Sequence, residues 1–346
     1  MIGGIVGYGA YVPGYRISVQ EIAQARSLDV KKIQSMLVVE EKAVPGKDED
    51  AITIAVQAGK NALLRANIAS SSIQAVYVGS ESHPYAVKPS ATIIGQALGI
   101  GTGYMAADMQ FACKGGTAAL QVGLGMVASG IAEYVLACGT DVAQAEPGDI
   151  LEFTASAGGA AFVLGKNSDH CCVLVDETVS ISSDTPDFWR RGLQPYPEHT
   201  GRFTAEPSYF YHTQQATQLL LERVGMQPRE YDFVIFHQPN GKFPVAVAQK
   251  LGFVKKQYES GMLVKKIGNC YSASSLLGLT AVLDGAQAGQ KILLVSYGSG
   301  SGSDAFSMTT TSLLASKQNK APKTMYYVHQ KTSLSYTQYK SHGAAL

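Results

Sequence analysis

The feature that most constrains this chain is its alternation of segments. Short apolar runs of strand length are separated, from one end to the other, by longer stretches of small and apolar residues of helical length. That alternation predicts an α/β layered fold. The expected strands are Gly4–Gly7, Ala75–Gly79, Ala106–Gln110, Tyr134–Cys138, Ala160–Leu164, Cys171–Glu177, Asp232–Phe236, Ile292–Ser296 and Ala305–Thr310. The expected helices are Asp50–Ala66, Gly115–Ala128, Tyr209–Val224, Pro244–Leu251 and Ala273–Ala286. Leu219, Leu220 and Val224 recur at the spacing of one helix face, as do Leu276, Leu279 and Leu283.

A weak internal repeat sharpens the reading. When Cys113–Leu120 is laid over Asn269–Leu276, Leu120 falls on Leu276, and both segments lead through small residues into an apolar strand closed by glycine, at Gly139 and Gly298. When Ala75–Gly79 is laid over Phe233–His237, Glu81 follows the first strand and His237 ends the second. The order suggests a duplicated α/β unit with a boundary near Lys166–His170, dividing 1–166 from 167–346; two ordinary βαβ units would also look alike. Ligands of open α/β sheets collect at the carboxyl ends of strands and at helix N-termini. The repeat therefore puts Glu81, Cys113, His237 and Asn269 at one kind of location, where a pseudo-dyad would let them converge.

Charge and cysteine usage exclude several classes. Lys+Arg 28 against Asp+Glu 27 gives a net charge of +1, so no global basic field exists for nucleic acid or an anionic membrane. The apolar runs are far shorter than the ~20 residues that span a bilayer, and MIGGIVGYGA does not read as a signal peptide. The five cysteines, an odd number without a CxxC pair, suggest reduced thiols in the cytoplasm and no zinc site. No His–Glu helical spacing suggests another metal.

Cys113 follows an apolar strand and opens a helix. Helix-start amides and Lys114 would favour its thiolate, and Gly115 and Gly116 would admit a substrate close to the backbone. Cys138, Cys171, Cys172 and Cys270 lie in or beside apolar segments and read as structural. His237 and Asn269 are neutral donors that could share a developing oxyanion, although a core histidine and an ordinary N-cap explain them too. Glu81 could serve as general acid or base if burial raises its pKa. The other six histidines read as surface residues. Gly7-Tyr-Gly9 and Gly123-Leu-Gly125 lack the context of a dinucleotide loop. Gly298-Ser-Gly300-Ser-Gly302 is not a P-loop, and is expected to back a pocket with its amides open to a ligand.

Taken together, these residues resemble the thiolase superfamily of condensing enzymes, and more narrowly the archaeal type of hydroxymethylglutaryl-CoA synthases. The carrying motifs are Gly79-Ser-Glu-Ser-His-Pro-Tyr85, Phe111-Ala-Cys-Lys114, Ser183-Asp-Thr-Pro-Asp-Phe-Trp-Arg190, Arg202-Phe-Thr-Ala-Glu-Pro207, His237-Gln-Pro-Asn-Gly-Lys242 and Ile267-Gly-Asn-Cys-Tyr-Ser272. The resemblance implies a thiolase-like fold of duplicated α/β halves in an αβαβα arrangement. It implies condensation of acetyl-CoA with acetoacetyl-CoA through an acetyl-Cys113 thioester, in the mevalonate route to isoprenoids. Glu81 would be the general acid/base, and His237 with Asn269 would polarise the second substrate. Thr154, Arg202, Thr204, Lys242 and Ser299 would line the substrate or CoA site. CoA thioesters would be substrates, with no cofactor. The resemblance further implies a homodimer, and association with an acetoacetyl-CoA thiolase and a zinc-containing OB-fold bridging protein. A ketoacyl synthase acting on a carrier protein, or a non-catalytic scaffold of the same fold, are the alternatives.

Overall fold

The computed structural model describes residues 2–143 and 145–343, apart from the side chains of Arg202 and Phe203. Nine strands form one mixed sheet: β1 (Gly3–Tyr11), β2 (Ile73–Gly79), β3 (Met105–Met109), β4 (Tyr134–Val142), β5 (Ala157–Gly165), β6 (Val173–Ser182), β7 (Phe233–Phe236), β8 (Lys291–Val295) and β9 (Gly302–Thr310). They are the nine expected from the sequence, several of them longer than the apolar run alone. The sheet order is β7-β8-β9-β6-β1-β5-β4-β2-β3. Outward from the antiparallel β1–β6 pair, the senses repeat: antiparallel, antiparallel, then parallel on either side.

The five expected helices are α1 (Ala51–Ala66), α2 (Gly115–Ser129), α3 (Tyr211–Val224), α4 (Phe243–Lys250) and α5 (Ser274–Leu283). Asp50 accepts from the Thr53 N–H, and Thr53 returns a bond to the Asp50 N–H, a capping box that sets the start of α1. Helix α3 begins two residues later than expected, because the chain enters it through a π-helical turn, Ala205–Phe210, containing Pro207, which has no N–H to give.

Strand residues alternate between two layers of core. In the first half, Ala75, Tyr77, Val135 and Ala137 face the same cluster as Leu120 and Leu124 of α2, while Val76, Val78 and Leu136 face α1. In the second half, Ile235, Ile292 and Leu294 join that same central cluster with Leu276 and Leu279 of α5, while Val234, Leu293 and Val295 face the opposite side. Helices α2 and α5 therefore lie between the two halves of the sheet, and the two halves share one core. Full burial of a leucine such as Leu276 or Leu279 contributes about 1.5–3 kcal/mol.

The sequence reading missed the elements outside this frame. The helices Val19–Ala25 and Val30–Leu37 flank a three-stranded sheet of Tyr15–Ser18, Glu41–Val44 and Thr332–Ser333, and the helix Ser90–Ala97 follows the Glu81 loop. Ser18 and Asp29 cap the first two of these helices, accepting from the Glu21 and Lys32 N–H groups. Among the described residues, no helix is long and apolar enough to cross a membrane.

Candidate active site

The chain leaves β3 at Met109 and enters α2 at Gly115, and Cys113 lies in that bend. Ala112 just before it holds φ at +40°, a left-handed conformation that costs a non-glycine residue free energy. The Ser272 hydroxyl donates to the Ala112 carbonyl at 2.9 Å and helps hold the bend. Ser272 comes from the turn leading into α5, so the second half of the chain supports the cysteine of the first.

Glycines make this meeting possible. A Cβ on Gly79 would lie 1.9 Å from the Gly115 carbonyl carbon, and one on Gly116 would lie 2.6 Å from the Ser272 carbonyl oxygen. Only hydrogen at these positions lets the end of β2 and the two helix starts touch. Gly115 and Gly116 thus face protein backbone, not the close substrate expected from the sequence. Gly298 likewise sits against Phe111 and Lys114.

Cys113, His237 and Asn269 line one cavity of about 180 Å³. His237 directly follows β7, its N–H donating to the Val295 carbonyl at 2.9 Å and its carbonyl accepting from the Tyr209 hydroxyl at 2.7 Å. Both bonds fix its backbone, while Nδ1 is buried without a partner. Burial lowers its pKa to about 3, so the imidazole is neutral at physiological pH. Asn269 precedes α5 by a short 3-10 turn and does not open the helix itself. Its Oδ1 accepts from the Tyr271 N–H at 2.9 Å. That bond orients the amide and leaves Nδ2 to donate; Asn269 is the N-cap neither of the turn nor of α5.

Glu81 lies on an adjoining cavity of about 320 Å³, and Phe188 and Ser299 belong to the walls of both. Its Oε2 is buried without a partner. Burial first, and the nearby Asp141 carboxylate second, push its carboxyl well above the usual range, while Arg190 pulls the other way. Thr154, Thr204 and Ser299 line the first cavity. Lys242 is exposed at the start of α4, beside the lining residues Asn240 and Phe243. The side chain of Arg202 lies outside the described residues.

Some expectations need correction. The Cys113 thiol is pushed up, not down: burial dominates, and Glu81, Asp141 and Asp187 add negative charge. Lys114 does not offset them, because its ammonium is buried in a pair with Asp304 at 2.9 and 3.0 Å. The Gly300 amide is not open to a ligand, since it donates to Asp187 at 2.5 Å. Three of the six histidines read as surface residues are not free there. His212 is fully buried, with Nε2 at 2.7 Å from the Ser183 hydroxyl; His83 is buried against Ser90; and His199 lines the first cavity, paired with Asp149 at 3.0 Å. Cys138, Cys171, Cys172 and Cys270 are buried free thiols, as expected.

Two carboxylates escaped the sequence reading. Asp141 ends the apolar run of β4 and is fully buried. Its Oδ1 accepts from the Ser80 and Ser82 hydroxyls at 2.7 Å and from the Glu81 and Ser82 N–H groups at 2.9 and 3.1 Å, and its Oδ2 accepts from the Ser272 N–H at 2.7 Å. It thereby links the Glu81 loop to the turn behind Cys113. Asp187 accepts from the Tyr297 hydroxyl at 2.8 Å as well as from Gly300. An acidic residue inside an otherwise apolar strand was the available signal for Asp141.

Comparison with known proteins places this geometry. The model of the 3-oxoacyl-[acyl-carrier-protein] synthase III C-terminal family matches residues 221–309. The hydroxymethylglutaryl-CoA synthase of Methanocaldococcus jannaschii is 53% identical over 97% of each chain, and that of Archaeoglobus fulgidus is 52% identical over 98% of each. A crystal structure of HMG-CoA synthase complexed with CoA superposes with a TM-score of 0.88 at 26% identity, covering 98% of this chain and 89% of that one. The fold is thiolase-like, and half of the residues match across nearly the whole length: this chain belongs to the hydroxymethylglutaryl-CoA synthases, a family of acyl-transferring condensing enzymes.

Proposed function

We propose that this chain condenses acetyl-CoA with acetoacetyl-CoA to give 3-hydroxy-3-methylglutaryl-CoA and free CoA, with Cys113 as the acyl carrier. The observation that carries this reading is the shared cavity of Cys113, His237 and Asn269, with the raised Glu81 carboxyl on its neighbour. Cys113 Sγ attacks the acetyl thioester carbon, and the departing CoA thiolate takes the thiol proton. The acetyl group keeps acidic α-hydrogens, because a thioester sulfur donates little to its carbonyl. Glu81 takes one of them and the resulting carbon attacks the ketone of acetoacetyl-CoA. Neutral His237 and the Asn269 amide donate to the ketone oxygen as charge grows on it, and Glu81 returns the proton to the alkoxide. Water then cleaves the Cys113 thioester. Holding one partner covalently makes the condensation effectively intramolecular.

Thr154, Thr204 and Ser299 on the cavity wall, with Arg202 and Lys242, are assigned to the substrate and CoA site. The repeated strand senses on either side of the β1–β6 pair support duplicated halves, 1–166 and 167–346, with the boundary between β5 and β6. The unpaired outer edge of β3, with Met105 exposed, suits a homodimer. Five free cysteines suit the cytoplasm. Association with an acetoacetyl-CoA thiolase and a bridging OB-fold protein would pass the second substrate on directly; co-purification from native cells tests it. The central experiment is mass spectrometry after mixing with acetyl-CoA. One added acetyl group, absent in Cys113→Ala, supports the reading. No adduct on the wild-type chain sinks it.

The runner-up, a ketoacyl synthase acting on a carrier protein, draws on the family model matched at residues 221–309. The raised Glu81 carboxyl favours the first reading.

A further inference from the structure

The acetyl carbon bonded to Cys113 becomes the carboxylate carbon of the product. When water attacks that thioester, the new C–O bond forms, the C–S bond breaks, and the sulfur leaves to recover its proton. The product carboxyl then loses a proton, and an anion is born at Cys113. At that moment the pantetheine arm of the same molecule still occupies the route by which it entered, so the anion needs a second place. Among the described lining residues of the first cavity there is no Lys or Arg. Its polar groups are the neutral His237, Asn269 and hydroxyls, together with His199, already paired with Asp149.

The adjoining cavity differs. It is of about 320 Å³, it is walled by the Ala112 and Phe111 side of the cysteine bend, and Arg190 is the one cation among its described lining residues. Lys114 is close in sequence but is spent on Asp304. The arginine is placed by its own backbone neighbours: Phe188 stands between the cavities, Asp187 is locked to Tyr297 and Gly300, and Nη2 of Arg190 donates to the Glu81 carbonyl at 3.2 Å. One bond to that carbonyl leaves the other guanidinium donors for a ligand. A carboxylate entering here has the buried Asp141 behind the Glu81 loop, and that charge repels it unless a cation offsets it.

We infer that Arg190 and its cavity form the subsite for the product carboxylate, reached from Cys113 between Phe188 and Ser299, with a guanidinium–carboxylate pair as the recognition chemistry. This assignment rests on the proposed function, and adds to it a location for the half of the product that does not carry CoA.

The test uses two ligands that differ only in that carboxylate: 3-hydroxy-3-methylglutaryl-CoA, and 3-hydroxy-3-methylbutyryl-CoA, in which a methyl group replaces the carboxymethyl arm. Each is measured as an inhibitor of Cys113 acetylation and by calorimetry, on the full-length wild type, Arg190→Gln and Arg190→Lys. Arg190→Gln is expected to weaken the glutaryl ligand about tenfold and leave the butyryl ligand within about twofold. Arg190→Lys should recover part of the difference. Equal losses for both ligands, or no loss for the glutaryl ligand, overturn the subsite. A wild-type chain that neither acetylates Cys113 nor makes the glutaryl product would sink the proposed function instead, so the two failures are separable.

Discussion

Asp141 holds the Glu81 backbone N–H at 2.9 Å with one carboxylate oxygen while the other oxygen holds the Ser272 N–H at 2.7 Å. The acid/base loop and the turn behind Cys113 are thus fastened to the same buried side chain. Asp141 also adds to the upward shift of the Glu81 carboxyl. Asp141→Asn retains one oxygen but sets an NH2 against either the Glu81 loop or the Ser272 amide, and it removes the charge. Misplacement of a reacting group by about 1 Å can cost ~10²-fold. Product formation is therefore expected to fall by about that factor while acetylation of Cys113, followed by mass spectrometry, falls much less. Equal losses in both half-reactions would show that Asp141 merely holds the fold.

Glu81→Ala separates this enzyme from its ketoacyl synthase relatives. Positioned acid/base groups contribute about 10²–10⁴-fold, and no other carboxyl combines a cavity position beside Cys113 with a buried, unpartnered oxygen among the described residues. The variant should still take an acetyl group on Cys113 and accumulate it, with CoA released once and little product. Unimpaired condensation in Glu81→Ala would move the assignment to the ketoacyl synthases.

What the sequence showed, and what it hid, follows from the range of the forces involved. The nine strands of the sheet were legible because each is a short apolar run, and burial on both faces needs no distant partner to be read. Cys113, His237 and Glu81 were legible because each follows or closes such a run, Asn269 because it precedes the run of small and apolar residues that forms α5, and the repeat paired them. The protonation states were not. Lys114 beside a cysteine looks like a cation for a thiolate, but its partner Asp304 is far along the chain, and only the fold brings them together. Asp141 and Asp187 were hidden for the same reason: their roles consist of bonds to Ser272, Tyr297 and Gly300. The short helices near the N-terminus were missed although Ser18 and Asp29 are ordinary cap residues, because their apolar faces are too brief to register as periodic.

Two perturbed groups, His237 and Glu81, give opposite signatures with pH. His237 titrates near 3 when folded and near 6.5 when unfolded. Between those values the unfolded chain binds a proton that the native one refuses, so this contribution to stability is present above pH 6.5 and is lost as pH falls toward 3. The pH–rate profile should show no limb near 6.5 from this residue. Glu81 is shifted upward, so above the ordinary carboxyl range the unfolded chain releases a proton that the native chain keeps, and its contribution declines as pH rises. Melting temperatures measured from pH 4 to 8 should show a shallower acid-side loss in His237→Gln and a gain toward neutral pH in Glu81→Gln. Curves parallel to wild type would contradict both assignments.

Lys114 and Asp304 carry the last expectation. Their pair is buried, with the lysine 4% exposed and the aspartate 0%, and it joins the start of α2 to β9. The aspartate also accepts from Thr117 at 2.8 Å and Ser180 at 2.8 Å, and the ammonium lies 3.8 Å from the Phe111 ring centre. Lys114→Met leaves a desolvated carboxylate without its cation, a change that costs about 3–5 kcal/mol. Adding Asp304→Asn removes the orphaned charge and keeps one oxygen as acceptor, and the hydroxyl that then faces the NH2 can turn to accept from it, so the double variant should regain most of the loss in chemical denaturation. Its Cys113 should still acetylate, because the thiol is not held as a thiolate by Lys114. A double variant no more stable than Lys114→Met would mean that the pair matters for its shape and not for its charge.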